Sequence, residues 1–356
     1  MLTPSRWKRV CLLAGCACTL TAATSSQARD NRFSLQLHYD PPNHQWVAGE
    51  AYEVALAHLP AAAVAEFDLY VPPCSYITVG GHVVPGYDCT YEVIRGSREE
   101  DAEDETECVN HFWDPDGGPD GGAPWFGEES AWQRSERYWS EVETLYNGGQ
   151  TNAAYFKLGR VAHLLADMSV PAHVHNDQHL WHEAYEYYMV EYDDDMLGHF
   201  NYHQWNSDGL QPATESSLYA LFYNLAEQTD EFESDDHDGE DPDHYEGHNG
   251  AWETQDGIYG NYDTSYAECR NHGNVLAPLA MRYTARLYKL FWDMVHPPPP
   301  IPASCTAADG GCTNAIDVTW DPAAGATHYV VLRSSASTGP YVPIAQDVTS
   351  IHYADA

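Results

Sequence analysis

The sequence has few basic residues. It contains 16 Lys and Arg against 54 Asp and Glu, which gives a formal net charge of −38. A surface this acidic repels phosphate backbones unless bound metal ions locally invert the field, so no stable nucleic-acid partner is expected. Apolar residues, in contrast, are not lacking. Hydrophobic residues make up 43% of the chain and aromatic residues 13%, which excludes a chain that is disordered throughout.

Long hydrophobic runs are absent beyond the N-terminus. The apolar stretch at 275–295 is interrupted by charged residues and does not predict a membrane span. At the N-terminus, three basic residues precede an apolar stretch at 10–23 and a small-x-small cleavage site at 26–28. This pattern predicts a signal peptide over residues 1–28 and a secreted or periplasmic protein. The alternative is a lipoprotein anchored through Cys16, which would have a shorter apolar core.

The sequence contains no CxxC pair, so a zinc site built from thiolates is not expected. Six cysteines lie outside the predicted signal peptide, and an even set in an exported chain favours disulfides, although connectivity cannot be read from a sequence. Residues 72–88 carry turn residues between apolar ones and predict a hairpin that a disulfide could close. The predicted pairings, in order of preference, are Cys305–Cys312, Cys74–Cys89 and Cys108–Cys269.

A proline-rich stretch at 297–303 divides the chain, because consecutive prolines form a stiff, extended spacer. Before it, apolar residues recur at the helical spacings of three and four. They are Ala154, Leu158, Val161, Leu165 and Met168 in one segment and Leu276, Leu279, Tyr283, Leu287 and Leu290 in another. After it, short β-branched and aromatic runs alternate with turn residues. We therefore expect a mainly α domain at 29–296, a linker at 297–303 and a small β module at 304–356.

The predicted β module resembles part of a fibronectin type III domain. Residues 318–320 and 328–334 are similar to its strands B and C, and residues 339–341 and 351–353 are similar to the segments that follow. The sequence reaches Ala356 before the last two strands of a full sandwich, so either the chain is truncated or an incomplete β-sandwich-type module is expected. Modules of this kind usually act as spacers or binders, and no catalytic role is assigned to this one.

The 19 histidines are unusual in so acidic a chain, because imidazole is the commonest metal ligand in proteins and carboxylates are its usual co-ligands. His163 and Asp167 are four residues apart on one predicted helix, so their side chains lie on the same face. Pro171 ends or kinks this helix, which lets His173 approach from a different backbone direction. The spacing predicts that all three side chains reach one cavity.

A second pair with the same spacing follows. His182 and Glu186 are four residues apart and would supply one nitrogen and one oxygen ligand. The overlapping pair His179 and Glu183 has the same spacing but points about 60° away around the helix, so only one pair can face inward. Apolar neighbours on the same face favour His182 with Glu186, and the other pair remains the alternative.

Residues 163–176 resemble the signature of the bacterial zinc-dependent phospholipases C, H-Y-x-[GT]-D-[LIVMAF]-[DNSH]-x-P-x-H-x-x-N. They depart from it at Leu164 and Ala166, neither of which is a ligand position. Further elements of this family are matched in the same order along the chain. They are residues 44–48, 96–101, 110–115, 182–186 and 290–293. The resemblance implies a mainly α, multi-helix bundle like that of these phospholipases.

The resemblance also implies a site for two or three Zn²⁺ ions. Asp101, His111, His163 and Asp167 would surround one zinc, His173, His182 and Glu186 a second, and His44 with a bridging Asp167 a third. Asp101 is also implied as the catalytic base toward the attacking water.

The third zinc has an incomplete ligand set in this sequence. The family completes that site with an N-terminal Trp, and no Trp lies between residue 29 and His44. His38 or Asp40 is the candidate replacement. His175 has no counterpart among the family's ligands and is expected at the surface or at the rim of the site.

The activity implied is that of a zinc-dependent phosphodiesterase of phospholipase C type, because zinc ions activate a water and bind phosphate oxygens. The expected partner is a phospholipid or other phosphodiester substrate, met at a membrane surface by a monomeric protein. One alternative is the related single-strand nuclease and 3′-nucleotidase family, which uses a similar trinuclear site. Another is a non-catalytic, zinc-binding exported protein. The acidic surface favours a zwitterionic or small substrate over a polynucleotide.

Overall fold

The computed structural model describes residues 42–101, 108–120, 122, 129–177, 184–193, 199–234, 266–297, 299–309, 316–336 and 340–355. Over these residues the chain is a helical bundle followed by a small set of antiparallel strands, which confirms the predicted fold class. The helices are α1 (Pro42–Leu56), α2 (Ala61–Phe67), α3 (Glu92–Glu99), α4 (Ala131–Asn147), α5 (Thr151–Asp167), α6 (Pro171–Val174), α7 (Ala184–Val190), α8 (Leu218–Thr229) and α9 (Tyr266–Val295). The strands are β1 (Ser75–Val79), β2 (His82–Gly86), β3 (Tyr192–Asp193), β4 (His199–Phe200), β5 (Cys305–Asp309), β6 (Ile316–Trp320), β7 (Tyr329–Arg333), β8 (Val342–Val348) and β9 (His352–Asp355).

The helical spacings predicted from the sequence are confirmed in α5 and α9. Leu158, Val161 and Leu165 are fully buried in α5, whose second half is buried on all faces, and the equivalent residues of α9 are also in the core. Helix α9 continues through Pro278, whose ring removes one backbone donor without ending the helix. None of the helices in the described part of the chain has the length and apolar character needed to cross a bilayer.

Helices α3 and α5 touch along their backbones at two glycines. A Cβ on Gly96 of α3 would overlap the carbonyl oxygen of Phe156, and a Cβ on Gly159 of α5 would overlap that of Val93. A side chain at either position would push the two helices apart. The two glycines therefore set the distance between α5, which carries His163 and Asp167, and α3, whose end is followed by Asp101.

Helix α9 packs along α1. The hydroxyl of Tyr288 on α9 donates a hydrogen bond to the carbonyl oxygen of Ala48 on α1 at 2.9 Å. At its N-terminal end, α1 meets α5, where the imidazole rings of His44 and His163 stack with 3.7 Å between their centroids. Helix α1 therefore brings its first turn onto α5 at the position of the predicted ligands.

Strands β1 and β2 form the hairpin that the sequence predicts at 72–88. Ser75 lies opposite Gly86, and the continuation of this register leaves Cys89 two residues beyond the position opposite Cys74. Residues displaced by two along an antiparallel ladder are further apart than a disulfide can span.

The predicted Cys74–Cys89 disulfide is therefore wrong, and no disulfide is present among the cysteine side chains that the structure describes. The thiol of Cys89 donates instead to Oε1 of Gln45 on α1, at 2.9 Å. The side chains of Cys108 and Cys312 lie outside the described residues, so the two pairings that involve them stay predictions.

The C-terminal strands form two small antiparallel sheets. One has the order β5-β6-β9, and β7 pairs with β8 in the other. Trp320 of β6 is buried against Tyr329 of β7, with 5.3 Å between the ring centroids. This agrees with a small β module. Its likeness to a fibronectin type III domain and the domain limits at 29–296, 297–303 and 304–356 stay predictions, and the predicted signal peptide at 1–28 lies outside the described residues.

Candidate metal centre

Six of the eight predicted ligands come together where α1, α3 and α5 meet. His44 lies in the first turn of α1, which begins at Pro42, a residue type favoured at a helix start. His163 and Asp167 lie on the last turns of α5. The others come from shorter elements: Asp101 follows the end of α3, His111 ends a single 3₁₀ turn, and His173 lies in the one-turn helix α6, which begins at Pro171.

Asp167 is at the centre of this group, and its side chain is only 1% exposed. Four imidazoles surround its carboxylate. Their nearest nitrogens lie 2.9 Å (His111), 3.3 Å (His44), 3.3 Å (His163) and 3.6 Å (His173) from its oxygens. Asp167 therefore contacts residues from every candidate zinc position, as expected of a bridging ligand.

A second carboxylate, that of Asp101, lies on the other side of His163. The Oδ1 atom of Asp101 is 3.2 Å from Nε2 of His163 and 3.5 Å from Nδ1 of His111. The two imidazole nitrogens are themselves 3.2 Å apart. Nitrogen and oxygen atoms from these three residues lie within 4.8 Å of one another, and so do those of His44, His163 and Asp167. Each group could hold one metal ion.

The orientation of His163 is fixed by the backbone of α3. Its Nδ1 atom donates a hydrogen bond to the carbonyl oxygen of Ser97 at 2.6 Å. This bond directs Nε2 toward Asp101 and Asp167 and leaves that nitrogen as the metal-facing atom. The contact depends on the close approach of α3 and α5 at Gly96 and Gly159, and the sequence alone gave no sign of it.

Several buried polar atoms in the group have no hydrogen-bond partner. Neither carboxylate oxygen of Asp167 accepts a hydrogen bond of acceptable geometry, and Nδ1 of His44 also lacks a partner. An anionic carboxylate at this depth is costly where its contacts with imidazole nitrogens are poorly aligned, and a cation between them would supply the missing interaction. The donor set is imidazole nitrogen and carboxylate oxygen without thiolate, which suits Zn²⁺. The residues present therefore fit a zinc site.

The charges of the group follow from burial and mutual contact. Burial lowers the pKa of His44 to about 3 and that of His173 to about 4, with neighbouring imidazoles contributing, so both rings are neutral. Burial would also lower the pKa of His163, but Asp101 and Asp167 outweigh it and raise that pKa well above its usual value. In the absence of metal the two carboxylates thus favour a proton on Nε2 of His163, and a cation bound at that nitrogen would replace the proton.

The pKa values of the two carboxylates, Asp101 and Asp167, are shifted downward. Burial by itself would raise their pKa values, but the adjacent imidazoles, with His163 first, outweigh it. The pKa of Asp101 is lowered, and that of Asp167 is lowered well below its usual value. Both groups are therefore ionised at neutral pH, as metal ligands must be.

The second predicted ligand group is only partly described. Oε1 of Glu186 on α7 lies 3.6 Å from Nε2 of His173, and the Glu186 side chain is 33% exposed. The structure thus brings Glu186 to the edge of the site. Its predicted partner His182 lies outside the described residues, and so do the alternative pair His179 and Glu183.

A small cavity of about 40 Å³ opens beside His44 and Glu186. Its other walls are mainly apolar and include Val47, Val170 and Met189. A volume of this size can hold ordered water next to the metal-facing atoms. His38 and Asp40, proposed as replacements for the family's N-terminal Trp, lie outside the described residues.

The expected position of His175 is wrong. His175 is buried, and its Nε2 atom donates to the carbonyl oxygen of Phe232 at 2.9 Å, while its Nδ1 atom is 3.3 Å from Asp230 Oδ1. These contacts tie the end of α6 to the segment after α8. The sequence pattern could not reveal this, because the partners are more than fifty residues away and include a backbone atom.

Comparison with known proteins finds solved structures with a similar fold but no relatives by sequence. No family model matches the chain, and no curated protein matches it. Among solved structures, alpha-toxin of Clostridium perfringens, from an avian strain, has 12% identity over 83% of this chain and 70% of its own, with a TM-score of 0.47. Alpha toxin of Clostridium absonum has 13% identity over 89% and 82%, with a TM-score of 0.44. At this identity no residue role can be transferred from these proteins.

Proposed function

We propose that this protein is an exported, zinc-dependent hydrolase of phosphodiester bonds, with phospholipid head groups as the substrate class. The observation that carries the proposal is the environment of Asp167. This buried carboxylate has imidazole nitrogens of four histidines within 3.6 Å and accepts no well-aligned hydrogen bond from them. A purely structural role does not explain why an anion and four imidazoles, all costly to bury, are gathered in a helical core.

Zinc ions would be held by Asp101, His111, His163 and Asp167 at one position and by His173, His182 and Glu186 at another. His44, with Asp167 shared, would contribute to a third. Bound zinc supplies a nucleophilic water at neutral pH and stabilises negative charge on a phosphoryl group. The residues of the chain would hold the ions in place, with Asp167 buried and Asp101 partly exposed.

Asp101 is the proposed proton acceptor for the attacking water. Its side chain is 15% exposed, whereas that of Asp167 is 1% exposed, so Asp101 is the carboxylate of the pair that substrate water can reach. Its lowered pKa keeps it ionised at neutral pH. A positioned base of this kind typically contributes 10²–10⁴-fold, roughly, to the rate.

The substrate class is tested by assaying the zinc-loaded chain, purified without residues 1–28, on phosphatidylcholine vesicles, single-stranded DNA and 3′-AMP. We expect release of phosphocholine, because the strongly negative net charge of the chain disfavours polyanions. Release of nucleotides from the DNA, or of inorganic phosphate from 3′-AMP, would instead assign the chain to the nuclease and nucleotidase alternative. Inactivity on all three substrates, with zinc bound, would favour a non-catalytic zinc-binding protein.

A further inference from the structure

A buried ion-pair network lies directly behind the candidate metal centre. It consists of Glu100, Arg134, Arg160 and the amide of Asn110. The Glu100 carboxylate accepts a hydrogen bond from Nε of Arg134 at 2.6 Å, and its other oxygen lies 3.2 Å from Nη1 of Arg160. The charged side chains are at most 5% exposed. Two of the few cations in this acidic chain are therefore in its interior.

Arg134 reaches a second partner with the other arm of its guanidinium. With the Asn110 amide oriented so that its nitrogen donates to the carbonyl oxygen of Glu129 at 2.7 Å, its oxygen accepts from Nη1 of Arg134 at 2.6 Å. One planar side chain thus joins Glu100 and Asn110. The fixed fork of an Arg suits this double contact, which the single ammonium of a Lys could not make in the same way.

Both partners of Arg134 immediately precede candidate zinc ligands. Glu100 precedes Asp101, and Asn110 precedes His111. Neither ligand is held by a long helix, because Asp101 lies beyond the end of α3 and His111 closes a single 3₁₀ turn. The position of each depends on what fixes the neighbouring backbone.

Arg160 adds the third segment. It lies one turn before His163 on α5, so its contact with Glu100 ties the end of α3 to the helix that carries His163 and Asp167. The network therefore joins three separate segments of chain, and each of them contributes a ligand to the group formed by Asp101, His111 and His163.

We infer that Arg134 is a positioning residue of the metal centre, which sets the separation of Asp101 and His111 through Glu100 and Asn110. This inference rests on the proposed function. Groups that orient metal ligands from outside the coordination sphere typically change metal affinity by 10- to 100-fold, roughly, when they are removed. Arg134 requires no contact with the metal to have such an effect.

The test compares Arg134→Met and Asn110→Ala with Arg137→Met. Arg137 lies one turn further along α4, is 44% exposed and forms ion pairs with the exposed carboxylates of Glu129 and Glu141, so it is a matched control. Zinc affinity is measured by competition with a chromophoric chelator. Thermal midpoints are recorded with and without zinc. We expect affinity to fall by about 10- to 100-fold in Arg134→Met and about 10-fold in Asn110→Ala, with less than about a twofold change in the control.

The rise in thermal midpoint on adding zinc distinguishes a positioning role of Arg134 from a general contribution of Arg134 to stability. A purely structural role would lower the midpoints of the metal-free and zinc-loaded forms equally, and an unchanged zinc-induced rise would overturn the inference. If Arg134→Met does not fold, Asn110→Ala decides, because it leaves the Arg134–Glu100 ion pair intact. If the unmodified chain takes up no zinc, the proposed function itself fails. If it binds zinc and the variants bind equally well, only the positioning role fails.

Discussion

At the scale of single residues, the two aspartates of the centre have different surroundings. Asp167 is enclosed by four imidazoles, whereas Asp101 contacts two of them and reaches solvent. The sequence alone does not distinguish these two environments, since both aspartates lie in regions with a helical pattern. The difference arises because Asp167 points inward from the last turn of a buried helix and Asp101 follows the end of a shorter one.

The substitution Asp167→Asn should lower zinc content and phosphodiesterase activity together. The amide removes the charge that every candidate zinc position shares, while its size is nearly the same. We expect at least one zinc ion to be lost per chain, measured by elemental analysis after gel filtration. Asp293→Asn, at an exposed position of α9 that pairs with Lys289, is the control. Full zinc occupancy in the Asp167 variant would contradict the assignment.

The site is predictable from the sequence where ligands lie close together along the chain. The spacing of His163, Asp167 and His173 indicated one cavity, and the three side chains do meet. Asp101, His111 and His44 could be connected with them only through the family resemblance, because spacing along the chain says nothing about which distant segments pack together. Their roles as ligands stay predictions until metal is measured.

At the scale of elements, the contact between α3 and α5 controls the centre. It places the carbonyl oxygen of Ser97 within hydrogen-bond distance of Nδ1 of His163, and it brings the end of α3 beside α5. An isolated Gly in a helical pattern indicates close packing only in general terms and does not identify the partner. The sequence therefore predicted the helices but not their separation.

The substitution Gly159→Ala tests this contact. The added methyl group would overlap the carbonyl oxygen of Val93, so α3 must move away from α5. We expect a loss of about 1–3 kcal/mol in the free energy of unfolding, measured by urea denaturation of the metal-free protein. Weaker zinc binding should accompany it, because the hydrogen bond from His163 to Ser97 would lengthen. The control is Ala153→Ser, at an exposed position of the same helix, which should change neither the free energy of unfolding nor zinc binding. A similar effect in both variants would contradict the close contact between α3 and α5 at Gly159.

At the scale of the whole molecule, the net charge of −38 disfavours the compact state through repulsion between like charges. Zinc that binds the folded state and not the unfolded one stabilises the fold by mass action. Removal of zinc by dialysis against a chelator should therefore lower the thermal midpoint. The free energy of unfolding should fall by about 4 kcal/mol, compared with that of the protein in free zinc at roughly 1,000 times its Kd.

Calorimetry before and after dialysis measures this loss, and re-addition of zinc is the control for reversibility. Mg²⁺ at the same concentration should not restore the midpoint, because imidazole ligands select against it. Identical midpoints for the dialysed and zinc-loaded protein would indicate that the histidines and aspartates are not a metal site.

The candidate ligands are far apart along the chain, from His44 in the first described helix to Glu186 in α7. Contacts across such sequence distances form late, since the intervening loops must close first. Zinc uptake during refolding should therefore report when the tertiary structure is complete. In a refolding experiment, a zinc-sensitive dye should respond after the circular dichroism signal of the helices has reached its final value.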